Sequence, residues 1–96
     1  MREREIERKL VQAVRVMGGI ALKIVSPGFD GMPDRLILFP GGRAAFAEIK
    51  KYGMKPRPMQ LQRHGMLRGL GFKVFVIDDE EQIKTILMEI LGGDAK

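Results

Sequence analysis

The run Asp34-Arg35-Leu36-Ile37-Leu38-Phe39-Pro40-Gly41-Gly42-Arg43-Ala44-Ala45-Phe46-Ala47-Glu48-Ile49-Lys50 decides how this chain folds. Two apolar segments, Asp34 to Phe39 and Ala44 to Lys50, flank a Pro-Gly-Gly-Arg turn, which is the pattern of a β-hairpin. Side chains alternate across a strand, so Glu48 and Lys50 leave from the same face, one pleat apart. Loop length then fixes which side chains meet. If Pro40-Gly41-Gly42 is the loop, Phe39 pairs with Arg43 and, stepping outward, Asp34 comes directly opposite Glu48. A two-residue loop would shift the pairing by one and send the two carboxylates to opposite faces. Proline at the first turn position and glycine in a left-handed third position favour the odd loop.

Working outward from the hairpin, Ile6, Leu10, Ala13, Val14 and Met17 recur at helical spacing, predicting an amphipathic helix from Glu3 to Met17 that Gly18-Gly19 ends. Ile20 to Val25 reads as a strand. The loop Ser26-Pro27-Gly28-Phe29-Asp30-Gly31-Met32-Pro33 separates it from the hairpin. After Lys50 comes a polar, basic loop, Lys51 to Arg57. Pro58 suits the first turn of a second helix running to about Leu70 and closed by Gly71. Lys73 to Ile77 is a buried strand, and Asp79 with Gln82 resembles a capping box opening a last helix through Leu91. The order α-β-β-β-α-β-α predicts an α/β fold, a mixed sheet flanked by helices, in a single domain over 1–96.

Composition narrows the function classes. The chain has 96 residues, 17 Lys+Arg against 12 Asp+Glu, and is 45% hydrophobic, too apolar for a disordered basic tail. No apolar run is long enough to span a membrane, and Met1-Arg2-Glu3-Arg4-Glu5 is not a signal peptide, which predicts a cytoplasmic protein without membrane contact. With no Cys a thiolate site is excluded, and a single His argues against a histidine-based zinc centre, so any metal must be held mainly by oxygen. Residues 1–77 carry 15 basic and 6 acidic side chains, whereas residues 78–96 carry 2 basic and 6 acidic ones. The basic part predicts a polyanionic partner; the acidic end predicts a solvated helix turned away from it.

Asp34, Glu48 and Lys50 carry the chemistry. Taken singly they are a residue after a turn and a solvated strand pair. In the odd-loop register, two like charges stand about 4.5–5.5 Å apart at Cβ, which is destabilising unless something offsets the repulsion. A divalent cation bridging the carboxylates does so, and few protein oxygens with open positions suit Mg²⁺. Lys50 is then placed to position an attacking water and to stabilise charge on a phosphate. This is an inventory for phosphodiester hydrolysis.

Gly31-Met32-Pro33-Asp34-Arg35, then Glu48-Ile49-Lys50, then Gln60 early in the following helix, resembles the PD-(D/E)xK nuclease superfamily, and within it a stand-alone VRR-NUC (virus-type replication-repair nuclease) domain. The similarity covers nearly the whole chain, from the first helix through Lys73 to Ile77. It implies a restriction-endonuclease-like α-β-β-β-α-β core and a Mg²⁺- or Mn²⁺-dependent endonuclease. It also implies a homodimer acting on branched DNA in the manner of Holliday junction resolvases. Carried onto this chain, it makes Asp34 and Glu48 metal ligands with the carbonyl of Ile49 as a third, Lys50 the catalytic lysine, and Gln60 a residue near the site that contacts the phosphate or orients a ligand.

The family also has an acidic residue in its first helix. At 100° per residue Glu3 lies about 30° from the centre of the apolar face, Glu7 about 70° and Glu5 about 130°, so Glu3 is chosen and Glu7 kept second. Lys23 resembles a basic position of the family that reaches the phosphate. Ser26 opens the loop bordering the cleft, and Lys51, Lys55, Arg57 and Arg63 are expected to contact the DNA backbone. His64, one helical turn after Gln60, is expected to be structural or to lie on the DNA side. A nickase or restriction-type enzyme on duplex or flap DNA, and a nucleic-acid-binding module without catalysis, stand as rivals.

Overall fold

A computed structural model describes residues 1–92; the last four residues of the single domain expected over 1–96 lie outside the described residues. Seven elements follow in order: α1 (Glu3–Val16), β1 (Ile20–Lys23), β2 (Arg35–Phe39), β3 (Arg43–Ile49), α2 (Pro58–Gly69), β4 (Lys73–Ile77) and α3 (Gln82–Gly92). Their order is the one the sequence predicts, with shifted ends. β1 stops at Lys23, short of Val25: the Ile24 N–H still reaches the Asp34 carbonyl at 2.9 Å, and beyond it the chain turns into the loop that carries Ser26-Pro27, where proline has no N–H to extend a ladder. The last helix begins at Gln82 because Asp79 to Glu81 first form a turn, closed by the Gln82 N–H on the Asp79 carbonyl at 3.1 Å. The Asp79/Gln82 box does form there. Gln82 Oε1 accepts the Asp79 N–H at 3.2 Å, and Asp79 Oδ1 accepts the Glu81 N–H at 3.0 Å.

The sheet runs β1-β2-β3-β4, with β1, β2 and β3 antiparallel in turn and β4 parallel to β3. Phe39 faces Arg43 and Arg35 faces Ala47, which is the odd-loop register. Gly41 and Gly42 both adopt positive φ, 86° and 76°, a conformation that other residues adopt only at a cost. A parallel neighbour requires a crossover, and α2 provides it.

Helices cover both faces. On one, Ile6, Leu10 and Val14 of α1 and Ile83, Leu87 and Ile90 of α3 bury themselves on Ile37, Phe39, Ala45, Ala47 and Ile49. On the other, Leu67 of α2 packs on Phe46 and Val74 beside Met32 and Leu36. Alternation along β3 therefore turns Ala45, Ala47 and Ile49 toward α1 and α3, and Phe46 and Glu48 toward α2. The acidic last helix is on the side of the sheet away from Glu48. Among the described residues no helix is long and apolar enough to cross a membrane.

Candidate active site

Glu48 ends an otherwise apolar row and is only 1% exposed. A buried carboxylate must be hydrogen-bonded or neutralised, and this one is surrounded. Gln60 Nε2 donates to its Oε2 at 2.8 Å, His64 Nε2 lies 3.3 Å from its Oε1, and Lys50 Nζ is 3.8 Å from Oε2. The Gln60 amide cannot turn over without loss, since its Oε1 accepts the Arg57 N–H at 2.8 Å and so caps α2. A helix-capping residue thus also holds the carboxylate.

Asp34 immediately precedes β2, and its Oδ2 accepts the Ile49 N–H at 2.7 Å. That bond fixes the aspartate at the end of β3, beside Glu48, as the odd-loop register requires. Burial, and then the Asp34 carboxylate, push the Glu48 carboxyl up from 4.5 to about 7, with Lys50 pulling the other way. Glu3 is a smaller cause in the same direction, which marks its charge as near the site. Glu7 is committed elsewhere: its Oε2 accepts from Arg35 Nε at 2.8 Å on the α1 side of the sheet. Glu7 thus has a partner of its own, whereas the charge of Glu3 reaches Glu48.

His64 is fully buried in contact with Glu48, a closer tie to the site than its sequence position suggested. Burial first, then the nearby Arg68 and Lys50 charges, hold its pKa below the ordinary value, so the ring is neutral at pH 7. As the Nε2–H tautomer it donates to ionised Glu48, leaving Nδ1 without a hydrogen-bond partner among the described residues. The signal for it in the sequence is the i, i+4 spacing from Gln60, which puts both side chains on one face of α2.

The remaining basic candidates divide. Lys51, Lys55 and Arg57 are exposed on the loop between β3 and α2 and at the α2 start. Arg63 is tied down: its Nε donates to the Asp30 carbonyl at 2.7 Å and its guanidinium lies 3.9 Å above the centre of the Phe29 ring. It clamps the 26–33 loop onto α2. Gly31 permits the approach, since at φ 87° a Cβ there would meet Met59 and Arg63 atoms at 2.8–2.9 Å. Ser26 is half-buried, and its carbonyl accepts the Phe29 N–H within that loop. Lys23 is not brought to the site. It pairs with Arg35, which pairs with Ala47, so its side chain leaves on the α1 face, away from Glu48.

Asp34 and Glu48 offer carboxylate oxygens side by side, and the family resemblance adds the Ile49 carbonyl as a third oxygen donor. No group of three or more His, Asp or Glu side chains able to hold a metal occurs among the described residues, so a cation here would draw most of its ligands from water and phosphate. That fits Mg²⁺ or Mn²⁺, hard ions that keep waters, and not zinc. Repulsion between Asp34 and Glu48 is the second point of fit, because a divalent charge removes it.

No family model matches the sequence. The chain is 49% identical over 81 residues to "Putative nuclease p44" of Acyrthosiphon pisum secondary endosymbiont phage 1, covering 84% of this chain and 87% of that one. Among solved structures it is similar to a VRR_NUC domain, with a TM-score of 0.84 and 30% identity over 88% of this chain and 92% of that one. Fold, sequence relative and the acidic pair at the end of the hairpin agree: this chain belongs to the VRR-NUC family of nucleases, within the PD-(D/E)xK superfamily.

Proposed function

We propose that this protein is a divalent-metal-dependent, structure-specific endonuclease that hydrolyses phosphodiester bonds in branched DNA such as Holliday junctions. One observation carries the reading. A buried glutamate faces an aspartate at a strand end with a lysine 3.8 Å away, an arrangement that weakens the fold and that nucleic-acid binding alone does not need.

Asp34, Glu48 and the Ile49 carbonyl would hold Mg²⁺ or Mn²⁺, with Glu3 adding charge from the start of α1. An ion held there would supply Lewis-acid polarisation of the phosphate and would acidify a water. Lys50 orients that water and stabilises charge growing on the phosphate oxygens. Gln60 and His64 act through Glu48 as positioning residues. Lys51, Lys55 and Arg57 hold the DNA backbone, which sets register without reading sequence. A homodimer suits symmetric incision of a four-way junction, because a chain of 96 residues offers one site and a narrow face. A DNA substrate and a chain without Cys fit work in the cytoplasm.

The test is a panel of labelled four-way junction, flap, duplex and single strand, each with Mg²⁺ and with EDTA. Cutting that requires the metal and favours the junction is expected. Equal cutting of all four would sink the junction preference, and none at all would sink the enzyme.

The first-helix assignment makes a second prediction. Glu3→Gln is expected to lower metal-dependent cutting roughly tenfold with unchanged stability, as loss of a secondary charge at a metal site does. Glu7→Gln is expected to cost up to about 1 kcal/mol in denaturant melts through its Arg35 partner and to leave cutting near wild type. The opposite pattern would hand the role to Glu7.

A further inference from the structure

On the α1 side of the sheet, a groove of about 500 Å³ runs between α1 and the edge strand β1. Its walls carry Arg4, Arg8, Arg15, Lys23 and Arg35, against a single acid, Glu7, which Arg35 already occupies. Arg4, Arg8, Arg15 and Lys23 are exposed, and none makes an ion pair among the described residues. Like charges gathered around one concavity repel one another, so the fold gains nothing from this arrangement.

The positions are regular. Arg4, Arg8 and Arg15 fall on one stripe of α1, four and then seven residues apart, and span about 16 Å along its axis. That is the rise of about five base pairs at 3.4 Å each. The groove also lies close to the carboxylate site. Arg4 follows Glu3, and Arg35 follows Asp34, whose side chain meets the end of β3. Lys23, Arg35 and Glu48 all stand at the same end of the sheet, where β1 and β3 end and β2 begins.

We propose that this groove is a second DNA-backbone site, holding the phosphates of the duplex that flanks the cut while the opposite face of the sheet presents the cutting site. The inference rests on the DNA reading above and assigns Lys23, which does not face the carboxylates, a phosphate of its own. Contacts of this kind neutralise charge without reading bases, so their mark is salt dependence.

The experiment measures affinity of the whole protein for a labelled duplex in EDTA, across a salt series, beside Mg²⁺-dependent cutting. Arg8→Gln/Arg15→Gln is expected to bind roughly tenfold more weakly and to reduce the slope of log affinity against log salt by about 1.8, near 0.9 per phosphate contact. Arg8→Lys/Arg15→Lys keeps the slope. Lys84→Ala, on α3, controls for the loss of one charge, and a pure net-charge effect would give the glutamine pair twice its loss. All these positions are exposed and helical, and glutamine and lysine are good helix formers, so the variants fold; circular dichroism checks it. A wild type that cuts DNA, with a glutamine pair whose loss of affinity and of salt dependence is no more than twice that of Lys84→Ala, overturns the groove and leaves the nuclease standing. A lysine pair that loses as much as the glutamine pair also overturns it, since charge would not be the cause. A wild type that neither binds nor cuts DNA overturns both.

Discussion

Asp34→Asn is expected to leave the protein folded while lowering DNA cleavage by roughly 10²–10³-fold, the range for losing one group that stabilises transition-state charge. The fold survives because asparagine keeps what the fold uses. Asp34 Oδ2 accepts the Ile49 N–H at 2.7 Å, and the asparagine carbonyl oxygen accepts the same bond at a slightly longer distance. What disappears is the negative charge beside Glu48. With it goes half of the carboxylate pair proposed to hold the divalent ion, and the remaining glutamate faces a neutral amide that ligates a hard cation weakly. Relief of repulsion offsets part of the weaker hydrogen bond, so the melting temperature should move by only a few degrees. Cleavage of the preferred substrate in Mg²⁺ and a thermal melt in EDTA test the two halves separately. Cutting within a few-fold of wild type would remove Asp34 from the site. A collapsed melt would reassign it to holding the hairpin.

The same residue shows why much of the site was legible in the sequence. The hairpin loop is short and local, so Pro40, Gly41 and Gly42 determine its length, the length determines the register, and the register brings Asp34 to the end of β3 beside Glu48. Nothing distant has to be known. Lys23 is the opposite case. β1 and β2 are joined through the long loop after Ser26, whose length does not fix the pairing, and a shift of one residue moves a side chain to the other face. The partner of Glu7 was equally out of reach, since Arg35 lies 28 residues away and helical angles cannot supply a tertiary contact. Likewise His64 and Gln60 share a helix face by spacing alone, but that the face lands on Glu48 follows from α2 crossing between parallel β3 and β4. Arg63, expected to contact the DNA backbone, instead holds a carbonyl and a ring in a loop whose sequence has no regular pattern to announce them.

Glu48→Gln should make the metal-free protein more stable above pH 7 and abolish cutting at every pH. In the fold, Glu48 keeps its proton up to about pH 7, whereas in the unfolded chain it releases it near 4.5. Between those values the folded state binds more protons, so unfolding becomes easier as pH rises, and the loss is complete above about 7. At about 1.4 kcal/mol per pH unit, the interval corresponds to at most ~3.5 kcal/mol. Glutamine removes this dependence. Its oxygen accepts from Gln60, and its amide donates to His64 once the neutral ring shifts its proton to Nδ1, a rearrangement whose cost reduces the gain to about 1–3 kcal/mol at pH 8. Denaturant melts in EDTA at pH 5 and pH 8 should therefore show wild type and variant converging at the lower pH and diverging at the higher. Mg²⁺ is expected to reverse the comparison, because an ion held by the proposed carboxylate pair would stabilise the wild type by mass action, while the amide variant would gain little. DNA binding by the variant should be retained or tightened, since one negative charge facing phosphate is gone. Equal pH slopes in EDTA would mean that Glu48 is ionised throughout, and loss of DNA binding would make it a structural residue of the sheet end.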